Sequence, residues 1–279
     1  MRGRKNEKKF LILLALPALL LSGCSKEISK EDAKKRAQEI ADHEVKLDDF
    51  KKLHVEDTDD GSFEGNVNGT AKSKSVLEYS VEDKWVHSVT ETEEKTGEII
   101  KTIKQEKWVY QEEGKYYVAK YTKDGAEEEK QYAVYQESDS IWEFEQATFE
   151  AEFSGIELGA FASLTGKESL KELISKIDGG SLDGTTFDFK YFSSGEGNLT
   201  VEGKTVDTDY SLFGYKGEVT STGKTTWDKY VITENSAEEE GTLKNNEGKE
   251  VKFKNSNKTT FSYDVTVSKP NLEEYTPAN

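Results

Sequence analysis

Runs in which apolar and polar side chains alternate with a period of two recur along most of the chain, and no proline interrupts them. Leu77, Tyr79 and Val81 alternate with Glu78 and Ser80, the pattern of a strand with one face buried and the other in water. Similar runs follow at Trp85 to Glu91, Glu98 to Gln105, Trp108 to Gln111, Tyr116 to Thr122 and Lys130 to Gln136. The pattern returns at Phe187 to Tyr191, Leu199 to Val201, Trp227 to Thr233, Val251 to Lys254 and Thr260 to Val267. After residue 23 the only prolines are Pro270 and Pro277, both past the last run, so no predicted strand loses a ladder hydrogen bond to a proline. Glu112-Glu113-Gly114-Lys115, Lys123-Asp124-Gly125, Gly195-Glu196-Gly197, Glu202-Gly203 and Asn245-Asn246-Glu247-Gly248 read as turns. Such short polar connections imply antiparallel hairpins rather than parallel crossovers. Asp57 to Gly69 reads as a polar loop, Gly217 to Thr225 as a polar turn, and Glu127-Glu128-Glu129 and Glu238-Glu239-Glu240 as exposed turns or edges.

Two stretches change to helical spacing. Ser29 with Asp32 gives a helix-start signature, and Ala33, Ala37, Ile40 and Ala41 recur on one narrow face, predicting a helix from Ser29 to Glu44. In the middle, Trp142, Phe144, Phe149, Phe153, Ile156, Leu158 and Phe161 are dense but not alternating. Thr165 and Glu168 then form a capping box ahead of the stripe Leu170, Leu173, Ile174 and Ile177, which ends at Gly179-Gly180. The fold class this predicts is α+β, with a large curved antiparallel sheet, an open half-barrel of about 10 or 11 strands. The N-terminal helix and a central helical insertion (residues 142–178) are expected to cover its concave face.

The N-terminus carries an address. Arg2, Arg4, Lys5, Lys8 and Lys9 precede an apolar stretch from Phe10 to Leu21, and Ser22-Gly23 supply small residues before Cys24, the plan of a secretory signal peptide. Twelve apolar residues are too few to span a hydrocarbon core about 30 Å thick. The run Leu21-Ser22-Gly23-Cys24 resembles the lipobox of bacterial lipoproteins. That resemblance implies cleavage between Gly23 and Cys24 and acylation of the Cys24 sulfur, with diacylglycerol and palmitate-type chains. Residues 1–23 are then a signal peptide, 24–28 a short lipidated tether, and 29–279 a single domain. The expected location is the extracytoplasmic face of a cell membrane, with a Gram-positive exterior favoured and the bilayer as partner through acylated Cys24.

Composition narrows the function. The full chain has a formal net charge of −17. Its first 23 residues hold five basic side chains and one acid, leaving −21 on the remaining 256 residues. Nucleic acid is excluded as a partner, because a chain so acidic has no basic surface to release phosphate counterions. Cys24 is the only cysteine, so there is no disulfide framework or thiolate metal site. Four Trp, 13 Tyr and 13 Phe are too many for a disordered acidic chain.

No motif for catalysis, metal or cofactor emerges. Gly217 to Thr225 has five residues between its glycines where a phosphate loop needs four. Asp57, Asp59 and Asp60 precede Gly61, but Thr58 and Val67 fall where a calcium loop needs ligands. His43, His54 and His87 form no metal-ligand pair, and no G-x-S-x-G nucleophile elbow is present. The catalytic, metal and cofactor assignments are therefore none, and an enzyme is not expected.

In organisation the chain resembles the LolA/LolB-like lipoprotein carriers and their LppX/LprG relatives. The local likeness lies in Glu106-Lys107-Trp108-Val109-Tyr110, Gly114-Lys115-Tyr116-Tyr117 and Asn271-Leu272-Glu273-Glu274-Tyr275-Thr276-Pro277. Ile28-Ser29-Lys30-Glu31-Asp32-Ala33 also resembles the start of a PepSY module. The LolA-like resemblance implies an apolar ligand such as lipid, bound or carried beneath the covering helices. Trp85, Trp108, Tyr117, Phe187, Phe189, Tyr191, Phe153 and Phe161 are the candidate cavity-lining residues. The alternative is a non-enzymatic structural or interaction lipoprotein of the cell envelope with a filled core.

Overall fold

The computed structural model describes residues 25–45, 51–65, 68–137, 139, 146–147, 149–150, 170, 185–212, 214–263 and 265–278. The one long helix among the described residues, α1 (Lys30–Asp42), starts where Ser29 caps it: the Ser29 side chain accepts from the Asp32 backbone N–H at 3.1 Å. Ala33, Ala37 and Ile40 are fully buried. These small and medium side chains at i, i+4 and i+7 let the helix approach the sheet closely. At the other end the Glu39 carboxylate accepts the Gly197 N–H at 3.0 Å and so ties the helix to a β-turn. The His43 ring stacks on Tyr230 with centroids 3.6 Å apart.

All the strands among the described residues belong to one sheet. A two-residue edge strand, β1 (Lys26–Glu27), is followed after α1 by a meander of six: β2 (Lys52–Glu64), β3 (Gly69–Ser80), β4 (Trp85–Thr96), β5 (Ile99–Glu112), β6 (Lys115–Asp124) and β7 (Glu127–Tyr135). A second meander comprises β8 (Thr185–Ser193), β9 (Leu199–Leu212), β10 (Tyr215–Asp228), β11 (Val231–Lys244) and β12 (Glu250–Ser262). The short β13 (Thr276–Pro277) closes the chain. The two meanders join where β12 pairs with β2, giving thirteen strands in the order β1-β8-β9-β10-β11-β12-β2-β3-β4-β5-β6-β7-β13. Every pairing is antiparallel except β13 with β7.

Directly opposed residues in an antiparallel ladder place their side chains on the same face. The register therefore defines two faces. One carries the row Phe189, Gly203, Gly223, Ala237, Asn257, Asp59 and Ser73, and α1 packs on this helix face farther along the strands. The other carries Asp188, Lys204, Thr222, Glu238, Ser256, Asp60 and Lys72.

Apolar side chains gather mainly at one end of the strands. On the helix face, Ala33, Ala37 and Ile40 pack with Leu170, Tyr191, Leu199, Val201, Trp227 and Ile232. Alongside lie Leu53, Tyr79, Val86, Val109, Tyr116 and Phe149, and Phe261 packs against both groups. On the opposite face Trp85, Trp108, Tyr110 and Ala119 are covered by the C-terminal segment 265–278, whose Val265, Val267, Leu272 and Tyr275 join them. This segment is called the strap here, and the face it covers the strap face. A smaller group, Val219, Leu243 and Phe253 with Tyr210 and Tyr215, closes the far end.

Between these clusters the sheet is a single layer among the described residues. Thr222 and Gly223 are both exposed, as are Ala237 and Glu238, although chain neighbours point to opposite faces. Strands of 12 to 14 residues run roughly 40 to 48 Å at ~3.4 Å per residue.

The α+β expectation is overturned. The architecture is predominantly sheet, with thirteen strands rather than 10 or 11 and one long helix among the described residues. The strand order is linear and ends at the separate edges β1 and β13, so the sheet is open and the half-barrel is not supported. The physical reason is the polar middle: among the described residues it is rich in serine, threonine, glycine and charge, and offers little apolar surface for a central helical insertion to cover. Residues 142–178 lie outside the described residues except for a few positions, of which Phe149 and Leu170 are buried in the helix-face clusters. In the stretch expected as tether, Lys26 and Glu27 pair with Ser193 and Phe192.

Several predicted turns and loops are strand interiors. Asp57–Glu64 continues β2, Glu202-Gly203 lies within β9, Gly217 to Thr225 within β10, and Glu238–Glu240 within β11. Their lack of regular alternation reflects the few apolar side chains they bury, not a break in the ladder. The run Trp227 to Thr233 is instead split by a hairpin turn, with Lys229 and Tyr230 at φ 49° and 69°.

Candidate functional site

Two neighbouring cross-strand rows on the strap face floor a trough of about 840 Å³ that spans seven strands from β8 to β3. One row is the Asp188-to-Lys72 line already given. The other runs Lys190, Glu202, Lys224, Ser236, Lys258, Thr58 and Lys74. Opposite charges stand directly across from one another at Asp188 and Lys204, Asp60 and Lys72, and on both sides of Glu202 (Lys190 and Lys224), so those neighbouring strands attract one another where no second layer holds them. Lys72 pairs with Asp60 at 3.1 Å. Glu234 bridges Lys224 at 3.0 Å and Lys258 at 3.4 Å. Burial raises the Glu234 pKa, but these two lysines outweigh it and hold the carboxyl below its ordinary value. Lys190, Lys204, Glu202 and Glu238 have no ion-pair partner among the described residues, which leaves both signs of charge free in the trough.

The helix face opposite is polar in a different way. The Asp57 carboxylate accepts from Thr259 at 2.6 Å and Asn257 at 3.2 Å, and Asp59 accepts from Asn257 at 2.9 Å and Ser73 at 3.3 Å. Asp60 projects to the other face onto Lys72. The three acids that sequence alone grouped as a calcium-like loop are thus split by the pleat. Lys224, from the phosphate-loop-like stretch, sits in a strand against Glu234.

The aromatic candidates do not share one space. Trp85, Trp108 and Tyr117 lie together on the strap face, where Trp85 is fully buried and its Nε1 donates to the Ser268 carbonyl at 2.7 Å. Tyr117 stacks on Tyr110, with centroids 4.8 Å apart. Burial first, then the Glu112 charge, pushes the Tyr110 hydroxyl up to about 12. Trp108 Nε1 is buried without a hydrogen-bond partner among the described residues. Phe187, Phe189 and Tyr191 line the helix face instead; Phe189 lies over Gly203, which has no side chain to obstruct it. There Phe187 and Phe189 border a recess of about 300 Å³ with Trp227, Thr225 and Asn235. Phe153, Phe161, Gly23 and Cys24 lie outside the described residues.

A titratable cluster unrecognised in the sequence sits on the strap face beside Trp108. His87 lies between two acids: Nδ1 is 2.9 Å from Glu78 Oε2, and Nε2 is 2.8 Å from Glu106 Oε1. His54 Nδ1 lies 2.8 Å from the other Glu78 oxygen. The His87 ring stacks on Trp108 at 4.8 Å, and Tyr275 of the strap meets Trp108 edge-on at 6.3 Å. Burial raises the Glu78 pKa, but hydrogen bonds and charge from the two histidines outweigh it and leave the carboxyl below its ordinary value. These residues come from β2, β3, β4 and β5, so their meeting depends on register and leaves no mark in sequence spacing.

No protein-family model matches this chain, and no curated protein matches it. Among solved structures, the translocator domain of the autotransporter NalP from Neisseria meningitidis aligns with 82% of this chain and 93% of its own, at 7% identity. Its TM-score of 0.16 is too low to indicate a common fold.

Proposed function

We propose that this chain is an acyl-anchored extracytoplasmic lipoprotein whose open sheet acts as a non-enzymatic scaffold engaging another component of a bacterial cell envelope. The anchor rests on the signal-like N-terminus and the lipobox-like run ending at Cys24. Only Ser25 separates Cys24 from Lys26 at the sheet edge, so acylation would hold that edge close to the bilayer. One acyl chain binds marginally and two or more stably.

The observation that carries the scaffold reading is the polar single-layer band with its charged trough. Apolar side chains are packed into clusters at the ends of the strands, while the broad surface between them presents unpaired lysines and carboxylates. A surface of that kind suits a partner with complementary charge, and charged contacts chiefly set specificity and association rate. The aromatic groups that suggested a lipid cavity are divided between the two faces, which favours the scaffold over the carrier.

The test has two parts. Cys24→Ser should abolish incorporation of labelled palmitate and release the protein from the membrane fraction; continued labelling or membrane partition would sink the anchor. Cross-linking of the anchored protein to its neighbours should weaken as salt is raised and should fall in Lys190→Glu with Lys204→Glu. Lipid found at one equivalent in the purified unacylated body, with salt-insensitive cross-linking, would replace the scaffold by a carrier.

A further inference from the structure

Hydrogen-bond arithmetic at His87 has a consequence for the strap. Both ring nitrogens face carboxylate oxygens at 2.8 to 2.9 Å. An ionised carboxylate only accepts, so both contacts are hydrogen bonds only if the imidazole carries two N–H groups and one positive charge. A neutral ring has a single N–H and would turn a lone pair toward one of the acids. We propose that Glu78, His87 and Glu106 form a pH-responsive clasp that locks β3, β4 and β5 beneath the C-terminal strap when His87 is protonated and loosens the strap when it is not.

The clasp can reach the strap because the His87 ring lies face to face with Trp108, at an interplanar angle of 11°. Trp108 in turn meets the ring of Tyr275 at 87°. An imidazolium against an indole face gains cation–π attraction that a neutral ring lacks. Loss of the charge therefore removes a hydrogen bond and weakens the support of the residue that Tyr275 rests on. The strap is otherwise held by Trp85 Nε1 to the Ser268 carbonyl at 2.7 Å and Lys130 to Glu274 at 2.9 Å. The Thr276 hydroxyl bonds the Lys130 carbonyl at 2.8 Å, and the Ala278 N–H donates to the Tyr132 carbonyl at 2.7 Å. Release is then local to the strap and its short parallel pairing of β13 with β7, and leaves the antiparallel ladders intact.

The other charged groups around the clasp are accounted for. From β2, His54 shares Glu78. From β4 and β5, Glu91 is paired with Lys104 at 2.7 Å. From β6, Tyr121 stands opposite Glu106 in the ladder. From β7 and the strap come Lys130, over the rings of Tyr121 and Tyr275, and its partner Glu274. Burial first, then the nearby Glu106 charge, raises the Tyr275 hydroxyl above its ordinary value, so that tyrosine stays neutral where an ordinary histidine titrates. Lys130 and Lys104 are both raised, chiefly by their hydrogen-bonded glutamates, and stay charged.

Amide hydrogen exchange on the full chain, corrected for intrinsic rates, tests the clasp between about pH 5.5 and about pH 9, which brackets histidine titration. Protection of Ala278 and Tyr275 should fall by about tenfold or more on crossing the histidine range, while Ile28, bonded to the Tyr191 carbonyl at 2.9 Å, keeps its protection. Glu106→Gln is the decisive variant, because a glutamine amide can donate to a neutral Nε2. It should make the fall in strap protection across the range clearly smaller than in the wild type, because the hydrogen bond at Nε2 then survives deprotonation and only the cation–π support is lost. His54→Gln should keep the wild-type transition, since His87 still lies between two acids. A wild-type strap whose protection does not change overturns the proposal, and so does a transition that is undiminished in Glu106→Gln or vanishes in His54→Gln. Should Glu106→Gln fail to fold, the wild-type profile read with the His87 ring resonances decides alone: strap opening must coincide with the titration of that ring.

Discussion

Leu53→Ala and Thr222→Ala, compared in one protein, test whether stability resides in the end clusters and not in the polar band. Leu53 is fully buried among Tyr79, Val86, Val109, Tyr116 and Phe149. Truncation removes three methyl or methylene groups worth ~0.8 kcal/mol each, about 2.4 kcal/mol before any cavity is counted. The rigid aromatic walls cannot close fully over the gap, which puts the total at ~3 to 4 kcal/mol, inside the range for buried leucines. Thr222 is exposed at mid-strand, and no other layer touches it among the described residues. Its replacement loses only β-propensity, at most about 1 kcal/mol. Urea unfolding of residues 25–279 measures both changes, with an unchanged denaturant slope confirming that the same surface is exposed on unfolding. The reasoning fails if the two costs agree within about 0.5 kcal/mol, because the polar band would then be packed as tightly as the clusters.

Three further outcomes follow from other contacts. Ser29→Ala removes the cap on the Asp32 N–H and should cost about 1 kcal/mol in the same urea assay, with a matching loss of helical signal at 222 nm as flagged by ~1 fewer helical turn. Gly217→Ala would place a methyl group inside van der Waals contact of the Thr242 carbonyl oxygen and 3.1 Å from Leu243 Cα. Because backbone must move to make room, a loss of ~1 to 3 kcal/mol is expected, whereas Gly223→Ala, whose new carbon would stand 3.5 Å from the nearest atom, should be nearly silent. On the acid side, the folded-state pKa of Glu78 is below its ordinary 4.5, so its contribution to stability is present above the unfolded value and is lost as pH falls through the lowered one. The melting temperature should therefore drop less between about pH 5 and about pH 3 in Glu78→Gln than in the wild type; equal drops would mean that Glu78 is not held ionised by its histidines.

Legibility in the sequence followed burial. Where one face of a strand meets a cluster, as at Leu77 and Tyr79 or Phe187 to Tyr191, alternation marks the strand directly. Where burial is slight on both faces, as in Asp57–Asp60 and Thr220 to Thr225, the same hydrogen-bonded ladder carries serine, threonine, glycine and charge without alternation. Such stretches look like loops because hydropathy reports burial, not backbone pairing. The helix start at Ser29 was legible for the opposite reason: cap and apolar stripe are both local. The His54, Glu78, His87 and Glu106 cluster was not, since its members are brought together only by the β2-to-β5 ladders.

The sequence by itself determined that antiparallel strands dominate, that one amphipathic helix precedes them, and that the chain is strongly acidic. Tertiary structure decided how the two meanders join, which side chains share a face, and that the middle of the sheet stands without a second layer. Alternation specifies that a strand has two unlike sides, but neighbours and faces are assigned by register. A shift of one residue would turn each side chain to the other side of the sheet. That is why the aromatics could be recognised as core-forming before the structure was known, while their division between the helix face and the strap face could not.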